Sequence, residues 1–191
     1  MTRDEATGAV ATELGGTAVS VEGGPTGLLV RCGAERIADV VRGLRDGSAC
    51  FDYFTFMTAV DYPPSGEDAG RLDLHYHLRS IPNKLTAVVV TSIPRDGVSV
   101  RTVSDLFAGA DWHERECYDL FGVVFAGHRN LTRILLPDDW RGHPLRKDYR
   151  QEENDLLYVP ESRWPEMAAP RTPEAAAAAQ PKGKAAQGGA G

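Results

Sequence analysis

The chain has 191 residues, of which 42% are hydrophobic and 25% are charged, as is typical of one globular domain with its own core. Its formal net charge of −6 argues against nucleic-acid binding, which depends on clustered lysine and arginine. No apolar run approaches the roughly 20 residues of a membrane-spanning helix, and the N-terminus lacks the pattern of a signal peptide. We therefore expect a soluble, cytoplasmic protein.

Composition divides the chain into four segments. Residues 1–16 are polar, rich in alanine, glycine and threonine, and aperiodic, which predicts a flexible N-terminal arm. Residues 17–150 are predicted to form one domain, and residues 151–167 an extended segment. Residues 168–191 contain no large apolar side chain, so they are predicted to be a disordered tail rich in alanine, proline and glycine.

The first half of the domain shows apolar patterns typical of strands and of helices. Gly27–Arg31 is typical of a short strand, and residues 37–44 place apolar side chains at i, i+3, i+4 and i+7, which predicts one face of a helix. Gly47 predicts a left-handed cap at the end of that helix. Residues 51–60 are aromatic and β-branched, which again favours a strand.

Two more strands are predicted at residues 71–79 and 85–93, and the first of them alternates strictly between apolar and polar side chains. Capping patterns at Thr102 and Asp111 then predict two helices. Strands in runs, rather than in alternation with helices, predict an α+β domain of two layers, with helices on one face of a small mixed β-sheet. No glycine-rich loop follows a strand, so a nucleotide site is not expected.

The helix predicted at residues 111–121 has an unusual charge pattern. Glu116 falls on the same helical stripe as Trp112 and Leu120, and Arg115 could form an i,i+4 ion pair with Asp119. Three interpretations are open: a core helix with solvated charges, a helix whose Arg115 and Glu116 reach partly buried partners, or general acid–base catalysis by the carboxylates. No candidate nucleophile stands beside them, which disfavours the third.

Residues 129–150, which we call the basic segment, have a net positive charge, whereas the whole chain has a net negative charge. They contain six basic and three acidic residues. Because the segment is also rich in arginine, tryptophan, tyrosine and leucine, its composition is closer to that of a protein interface than to that of a linker. We therefore predict a partner surface here.

Several motifs resemble one known family, the C-type (30 kDa-type) subunit of the proton-translocating NADH:quinone oxidoreductase, respiratory complex I. They are ERE at 114–116, YDLFG at 118–122, GH at 127–128, RILLP at 133–137, DW at 139–140 and GHPLRKDY at 142–149, with YHLRS at 76–80. The resemblance covers residues 51–149. Arg150 stands where this family often has a proline, and neither the tail nor the region before residue 51 matches the pattern.

The resemblance implies a peripheral-arm subunit without flavin or iron–sulfur cluster, on the cytoplasmic side of the bacterial membrane and attached to it only through the complex. It implies docking on the quinone-cavity (D-type) subunit, near the terminal-cluster (B-type) subunit. The complex of this family moves electrons from NADH through FMN and iron–sulfur clusters to quinone and couples this to proton translocation. The isolated chain is expected to have no activity.

No catalytic, cofactor-binding or metal-binding residue is predicted within this chain. The three cysteines, Cys32, Cys50 and Cys117, are widely spaced and cannot alone build a four-thiolate site. The resemblance instead implies an interface formed by Trp112, Glu114, Arg115, Glu116, Tyr118, Asp119, Phe121, His128, Arg133, Trp140, His143, Arg146, Lys147 and Tyr149.

Three alternatives remain at this point. The equivalent subunit of a membrane-bound hydrogenase or of a deazaflavin-dependent quinone reductase would share these motifs. A small metalloprotein could use two pairs, His75 with His77 and His113 with Cys117, each able to hold zinc if the pairs met. A stand-alone hydrolase or transferase would have to turn over substrate as an isolated chain.

Overall fold

The computed structural model describes residues 1–16, 20–24 and 27–150. The predicted extended segment (151–167) and disordered tail (168–191) lie outside the described residues. The helices are α1 (Arg3–Leu14), α2 (Ile37–Asp46) and α3 (Ala110–Phe121), with a single 3-10 turn at Ala34–Arg36. The strands are β1 (Ser20–Gly23), β2 (Gly27–Arg31), β3 (Tyr53–Tyr62), β4 (Arg71–Ser80), β5 (Leu85–Pro94), β6 (Ser99–Arg101) and β7 (Val124–Ala126).

Five of the strands form one mixed sheet in the order β1-β2-β5-β4-β3, while β6 and β7 form a separate parallel pair. β2 runs parallel to β5, and the other neighbours in the large sheet are antiparallel. Long β3, β4 and β5 therefore make a meander, and β1 and β2 extend it beyond β5. The predicted α+β class with a small mixed sheet is confirmed.

The alternation predicted for β4 separates the two faces of the sheet. Its apolar side chains join Val10 of α1, Val40 of α2 and Cys117 of α3 in one hydrophobic core. The helices thus cover a single face, as predicted, whereas His75 and His77 lie on the opposite, open face. The buried aliphatic and aromatic residues of β4 on the helix side are Leu72, Leu74, Tyr76 and Leu78.

The prediction of a flexible arm at residues 1–16 is wrong, because α1 is a capped helix that packs on the domain. The N–H of Glu5 donates to the Thr2 hydroxyl (3.3 Å), and the N–H of Thr2 donates to the Glu5 carboxylate (2.8 Å). Ala6, Val10 and Leu14 recur every fourth residue and are buried. This apolar stripe is narrow and partly alanine, so composition and periodicity indicated it only weakly.

Three predicted helix ends are also corrected. Gly47 is extended (φ −76°, ψ 172°) rather than left-handed. No helix begins at Thr102, since residues 104–106 form turns only. α3 begins with Gly109 in the N-cap position and has no side-chain cap, because the Glu114 carboxylate is bonded elsewhere. Propensity alone did not reveal that these polar side chains have tertiary partners.

The close contact between β2 and β5 generates a prediction. A methyl group at residue 27 would overlap the Thr86 carbonyl oxygen on the paired strand, so Gly27→Ala is expected to lower the free energy of unfolding by about 1–3 kcal/mol. The matched control is Gly8→Ala at an exposed position of α1, where a Cβ meets nothing within 4 Å. That change should stabilise the helix by about 1 kcal/mol or less. Urea unfolding followed by circular dichroism measures both, and a Gly27→Ala variant as stable as the unmodified chain would contradict so close a strand contact.

Candidate functional site

The second half of the chain wraps around α3. Cys117 and Phe121 face the core, and Gly122 ends the helix in the left-handed conformation (φ 78°), with its N–H bonded to the Tyr118 carbonyl (2.9 Å). The chain then passes through β7 and returns along the helix as the basic segment. Most residues predicted to form an interface are therefore neighbours in space.

Glu114 lies fully buried in the middle of α3. Its carboxylate accepts hydrogen bonds from the Thr102 hydroxyl and from the Val103 N–H (2.7 Å). Burial raises the pKa of Glu114 to about 7, although these two hydrogen bonds act in the opposite direction. Glu114 thus connects the turn after β6 to α3 by hydrogen bonds, and its buried carboxyl group ionises less readily than an exposed one.

His128 and Asp111 form a second contact at the start of α3. The Asn130 N–H donates to Nδ1 of His128 (3.1 Å), so in the neutral ring Nε2 carries the proton. Nε2 lies 3.2 Å from the Asp111 carbonyl oxygen and 3.3 Å from its carboxylate, which also accepts from the exposed Arg129 side chain. The His128 side chain is completely buried, and it fixes the turn after β7 against the helix.

Asp119 is the most heavily used acceptor in this region. Its buried carboxylate accepts the N–H groups of Ile134 (3.0 Å), Leu135 (2.8 Å) and Leu136 (2.9 Å) and an ion-paired bond from Arg133 (2.7 Å). Burial alone would raise the pKa of Asp119, but these bonds outweigh it and hold the pKa below its ordinary value. Asp119 therefore fixes residues 133–136 on α3.

Arg115 does not form the i,i+4 ion pair with Asp119 that its spacing suggested. Its guanidinium donates to the carbonyl (3.1 Å) and hydroxyl (3.0 Å) of Thr132 and to the carbonyl of Arg133 (3.1 Å). It also lies 5.2 Å from the ring centre of Trp112. Arg115 does reach partners, as one interpretation proposed, but those described are in this chain.

Arg146 and His143 hold the end of the basic segment. The Arg146 guanidinium donates to the carbonyl oxygens of Phe121 (2.7 Å) and Arg95 (2.7 Å) and to the Asp96 carboxylate (2.8 Å). Nδ1 of His143 lies 3.0 Å from the Asp119 carbonyl oxygen. The contacts to the Phe121 and Asp119 carbonyls satisfy groups that the C-terminus of α3 leaves without helical partners, and the bonds to Arg95 and Asp96 join the segment to the end of β5.

A buried ion pair that sequence reasoning missed anchors the same segment to the sheet. Arg95 donates to both oxygens of Asp61 (2.8 and 3.0 Å) and also to Asp148 (2.6 Å), and the Lys147 N–H donates to Asp61 (2.8 Å). Hydrogen bonds to Asp148 and then to Asp61 raise the pKa of Arg95. The available signal was the position of Asp61, which follows Met57 and Ala59 on the core side of β3.

A strip along α3 and the basic segment, which we call the outer surface, consists of Trp112, Glu116, Leu120, Leu145 and Lys147. All of them are exposed except Leu120, which is partly buried and packs against the core. The first three share one stripe of α3, and the Leu145 N–H donates to the Leu120 carbonyl (3.1 Å), which continues the strip onto the basic segment. Trp112 is 58% exposed and Leu145 49%. Glu116 is exposed too, and its carboxylate lies 3.9 Å from Nδ1 of His113, so among the described residues it does not reach a buried partner.

The fourteen predicted interface residues therefore differ in how far they are exposed to solvent. Glu114, Asp119 and Phe121 are buried, and Trp112, Glu116 and Lys147 are exposed. The other eight residues are partly buried, and several of them anchor the basic segment. They are Arg115, Tyr118, His128, Arg133, Trp140, His143, Arg146 and Tyr149.

The two candidate zinc pairs lie on different sides of the sheet. His75 and His77 are on the open face, where the His77 ring stacks on Phe56 at 4.1 Å between ring centres. Cys117 is buried under the helix face, and burial raises the pKa of its thiol. The structure does not bring the pairs together.

The family model described as the respiratory-chain NADH dehydrogenase 30 Kd subunit matches residues 30–155. The chain is similar to the C subunit of NADH-quinone oxidoreductase from Salinispora tropica, with 44% identity over 116 residues, 60% of this chain and 46% of that protein. It is similar to the C subunit of the same enzyme from Citrifermentans bemidjiense, with 47% identity over 115 residues, 60% of this chain and 69% of that protein. The chain thus spans from under half to about two thirds of these relatives.

Two solved structures share the fold. One is a chain of the membrane-bound sulfane sulfur reductase, an archaeal respiratory membrane complex, with a TM-score of 0.64, 28% identity, and coverage of 88% of this chain and 94% of that chain. The other is a trypsin-resistant fragment of Nqo5, with a TM-score of 0.50, 28% identity, and coverage of 68% of this chain and 100% of that fragment.

The role of Asp119 gives one prediction. Asp119→Asn replaces one acceptor oxygen by an amide and leaves Arg133 without its ion pair, so the free energy of unfolding should fall by about 3 kcal/mol. Trypsin should also cleave faster after Arg133 and Arg141. The control is Glu116→Gln on exposed α3 surface, with an expected change below about 0.5 kcal/mol. Equal stability and equal proteolysis of the two variants would contradict the anchoring role.

The buried carboxyl group of Glu114 gives a second prediction, which concerns the pH dependence of stability. Its pKa is about 7 in the folded chain against an ordinary value of 4.5, so between these values the folded state holds a proton that the unfolded state releases. The free energy of unfolding should therefore fall as the pH rises through this window, by up to about 1.4 kcal/mol per pH unit, and level off above it. Glu114→Gln should lack this contribution. Urea unfolding at several pH values tests it, and identical slopes in both proteins would refute it.

Proposed function

The chain belongs to the family of 30 kDa subunits of respiratory-chain NADH dehydrogenase, and on that premise we propose that it is a non-catalytic docking subunit of an NADH:quinone oxidoreductase. The complex would transfer electrons from NADH through FMN and iron–sulfur clusters to quinone, coupled to proton translocation. This chain would hold none of those cofactors. Its part would be to join neighbouring subunits of the peripheral arm.

The observation that carries this proposal is the inward use of charge. Arg115, Arg133 and Arg146 each donate several hydrogen bonds to backbone or carboxylate groups of the chain itself. The basic segment is thereby fixed on α3, and exposed Trp112 and Leu145 are presented on a rigid support. Large exposed side chains on an ordered support are typical of the anchors of a protein interface.

We propose the quinone-cavity (D-type) subunit as the main partner of the outer surface, with the terminal-cluster (B-type) subunit nearby. The support is the family relationship together with the position of the outer surface on the motifs that carry it. The predicted interface set is narrowed accordingly: Trp112, Glu116 and Lys147 would contact the partner, and buried Glu114 and Asp119 would act by positioning the surface.

We further propose a peripheral location on the cytoplasmic side of the cell membrane, reached through the complex. Within the described ranges no helix has the length and apolar character needed to cross a membrane. The Salinispora and Citrifermentans relatives are both NADH-quinone oxidoreductase subunits. They do not favour the alternative placement in a hydrogenase or a deazaflavin-dependent reductase.

The docking role predicts that Trp112→Ala and Glu116→Ala leave the isolated chain folded but weaken assembly. Removing an exposed tryptophan anchor should cost about 2 kcal/mol or more of binding, roughly a thirtyfold loss, with a smaller loss for Glu116. The test is affinity purification of the tagged chain from membranes, followed by mass spectrometry and an optical spectrum for flavin and iron–sulfur clusters.

The control is Ile81→Ala, which removes another exposed apolar side chain (56% exposed), in the turn between β4 and β5. It should assemble like the unmodified chain. Unchanged recovery of partners and of NADH:quinone reductase activity with both α3 variants would show that the outer surface is not the docking surface.

A further inference from the structure

Within residues 1–16, 20–24 and 27–150, the outer edge of β3 is a long strand edge without a partner strand. β3 has ten residues and ends the sheet on one side, whereas the opposite edge strand β1 has four. Among the residues that the structure describes, β3 makes backbone hydrogen bonds only in its ladder with β4. About half of the N–H and C=O groups of an edge strand point away from its neighbour, so β3 offers a row of unused donors and acceptors.

Features that usually prevent edge pairing are sparse in this strand. Its sequence, YFTFMTAVDY, contains no lysine, arginine or proline. Its one charged residue, Asp61, is fully buried and paired with Arg95. The remaining irregularity is a shift of register between Phe54 and Phe56. The edge beyond that point, through Tyr62, is regular and open to pairing.

A groove runs beside this regular part of the edge. The residues that line it are Ala59, Val60 and Asp61 of β3, with Phe121, Leu145 and Lys147. Leu145 is 49% exposed, so the groove includes an apolar side chain that water now contacts. Val60, which is 37% exposed, lies at the same edge with its side chain on the open face of the sheet. We call this the edge groove.

The acidic and basic side chains around the edge groove balance in number, but one of the cations has no described ion pair. The carboxylates of Asp61 and Asp148 are both held by Arg95. The Lys147 side chain makes no described ion pair and its residue is exposed. A carboxylate on an incoming chain would therefore meet an available cation at this end of β3.

We propose that an extended segment of a neighbouring subunit adds to the sheet along the outer edge of β3. Its backbone would pair with β3, an apolar side chain would fill the edge groove beside Leu145, and an acidic residue would face Lys147. The inference rests on the proposed function, because it takes the chain to be part of a larger assembly. The edge groove favours a neighbouring subunit over a second copy of this chain because it shares Leu145 and Lys147 with the outer surface.

The first measurement is hydrogen–deuterium exchange of the amides in β3, read by mass spectrometry on the isolated chain and on the purified complex. In the isolated chain about half of these amides should exchange quickly, because they face outward. In the complex nearly all should be protected. Equal exchange in both states overturns the inference.

The second measurement identifies the occupant. A photo-crosslinking benzoylphenylalanine replaces Val60 in the assembled complex, and the cross-linked peptide is sequenced. Val98 is the matched control, since it has the same exposed fraction of 37% and lies outside β3. A cross-link to an extended segment of another subunit, specific to Val60, supports the inference. A cross-link to a second copy, or to residues 151–191 of this chain, overturns it.

A third measurement separates this inference from the proposed function. Val60→Lys places a charge on the strand edge and should weaken recovery of the neighbouring subunit about tenfold, or ~1.4 kcal/mol, whereas Val98→Lys should not. Circular dichroism confirms that both variants fold. If the unmodified chain recovers its partners but neither variant differs from it, the docking function stands and the strand-edge inference fails. If the unmodified chain recovers no partner, the proposed function itself fails.

Discussion

A single buried carboxylate determines the course of the second half of this chain. Asp119 accepts three consecutive amide hydrogen bonds and an ion-paired bond from Arg133, all from residues that otherwise belong to no helix or strand. Without such an acceptor, three adjacent N–H groups would need water or leave the helix surface. Asp119 lets residues 133–136 lie flat on α3, and the following turns can then bring His143 and Arg146 to the end of the helix.

Charge in this region therefore serves internal order more than external attraction. Arg133 and Arg146 of the basic segment, like Arg95 of the sheet, donate to partners within the chain. The other basic residues of the segment are exposed: Arg129, Arg141, Lys147 and Arg150. What faces outward is an aromatic ring, a leucine and a few isolated charges. This composition suits a permanent interface between subunits better than electrostatic steering of a charged ligand.

The sequence predicted the features that depend on local pattern and missed those that depend on distant partners. Strict alternation in β4 revealed the two faces of the sheet, and the motif-rich helix was placed correctly. The helical stripe nevertheless led to Glu116 as the buried charge, whereas Glu114 and Asp119 are buried. Their partners lie 11 to 17 residues away, and nothing in the helix itself identifies them. The Asp61–Arg95 ion pair, 34 residues apart, was likewise not predicted, and the only sign of it in the sequence is an acidic residue at a core position of β3.

The same long separations have a consequence for the order of events during synthesis. Arg95 joins Asp61 across 34 residues and Asp148 across 53, and the Lys147 amide reaches Asp61 across 86. Contacts of this range form late because they close the largest loops. All residues of the meander and of its helices are synthesised before residue 148. We therefore expect the basic segment to close over a sheet that has already formed. The proposed docking surface would then be the last part of the chain to form, and an incompletely synthesised chain would lack it.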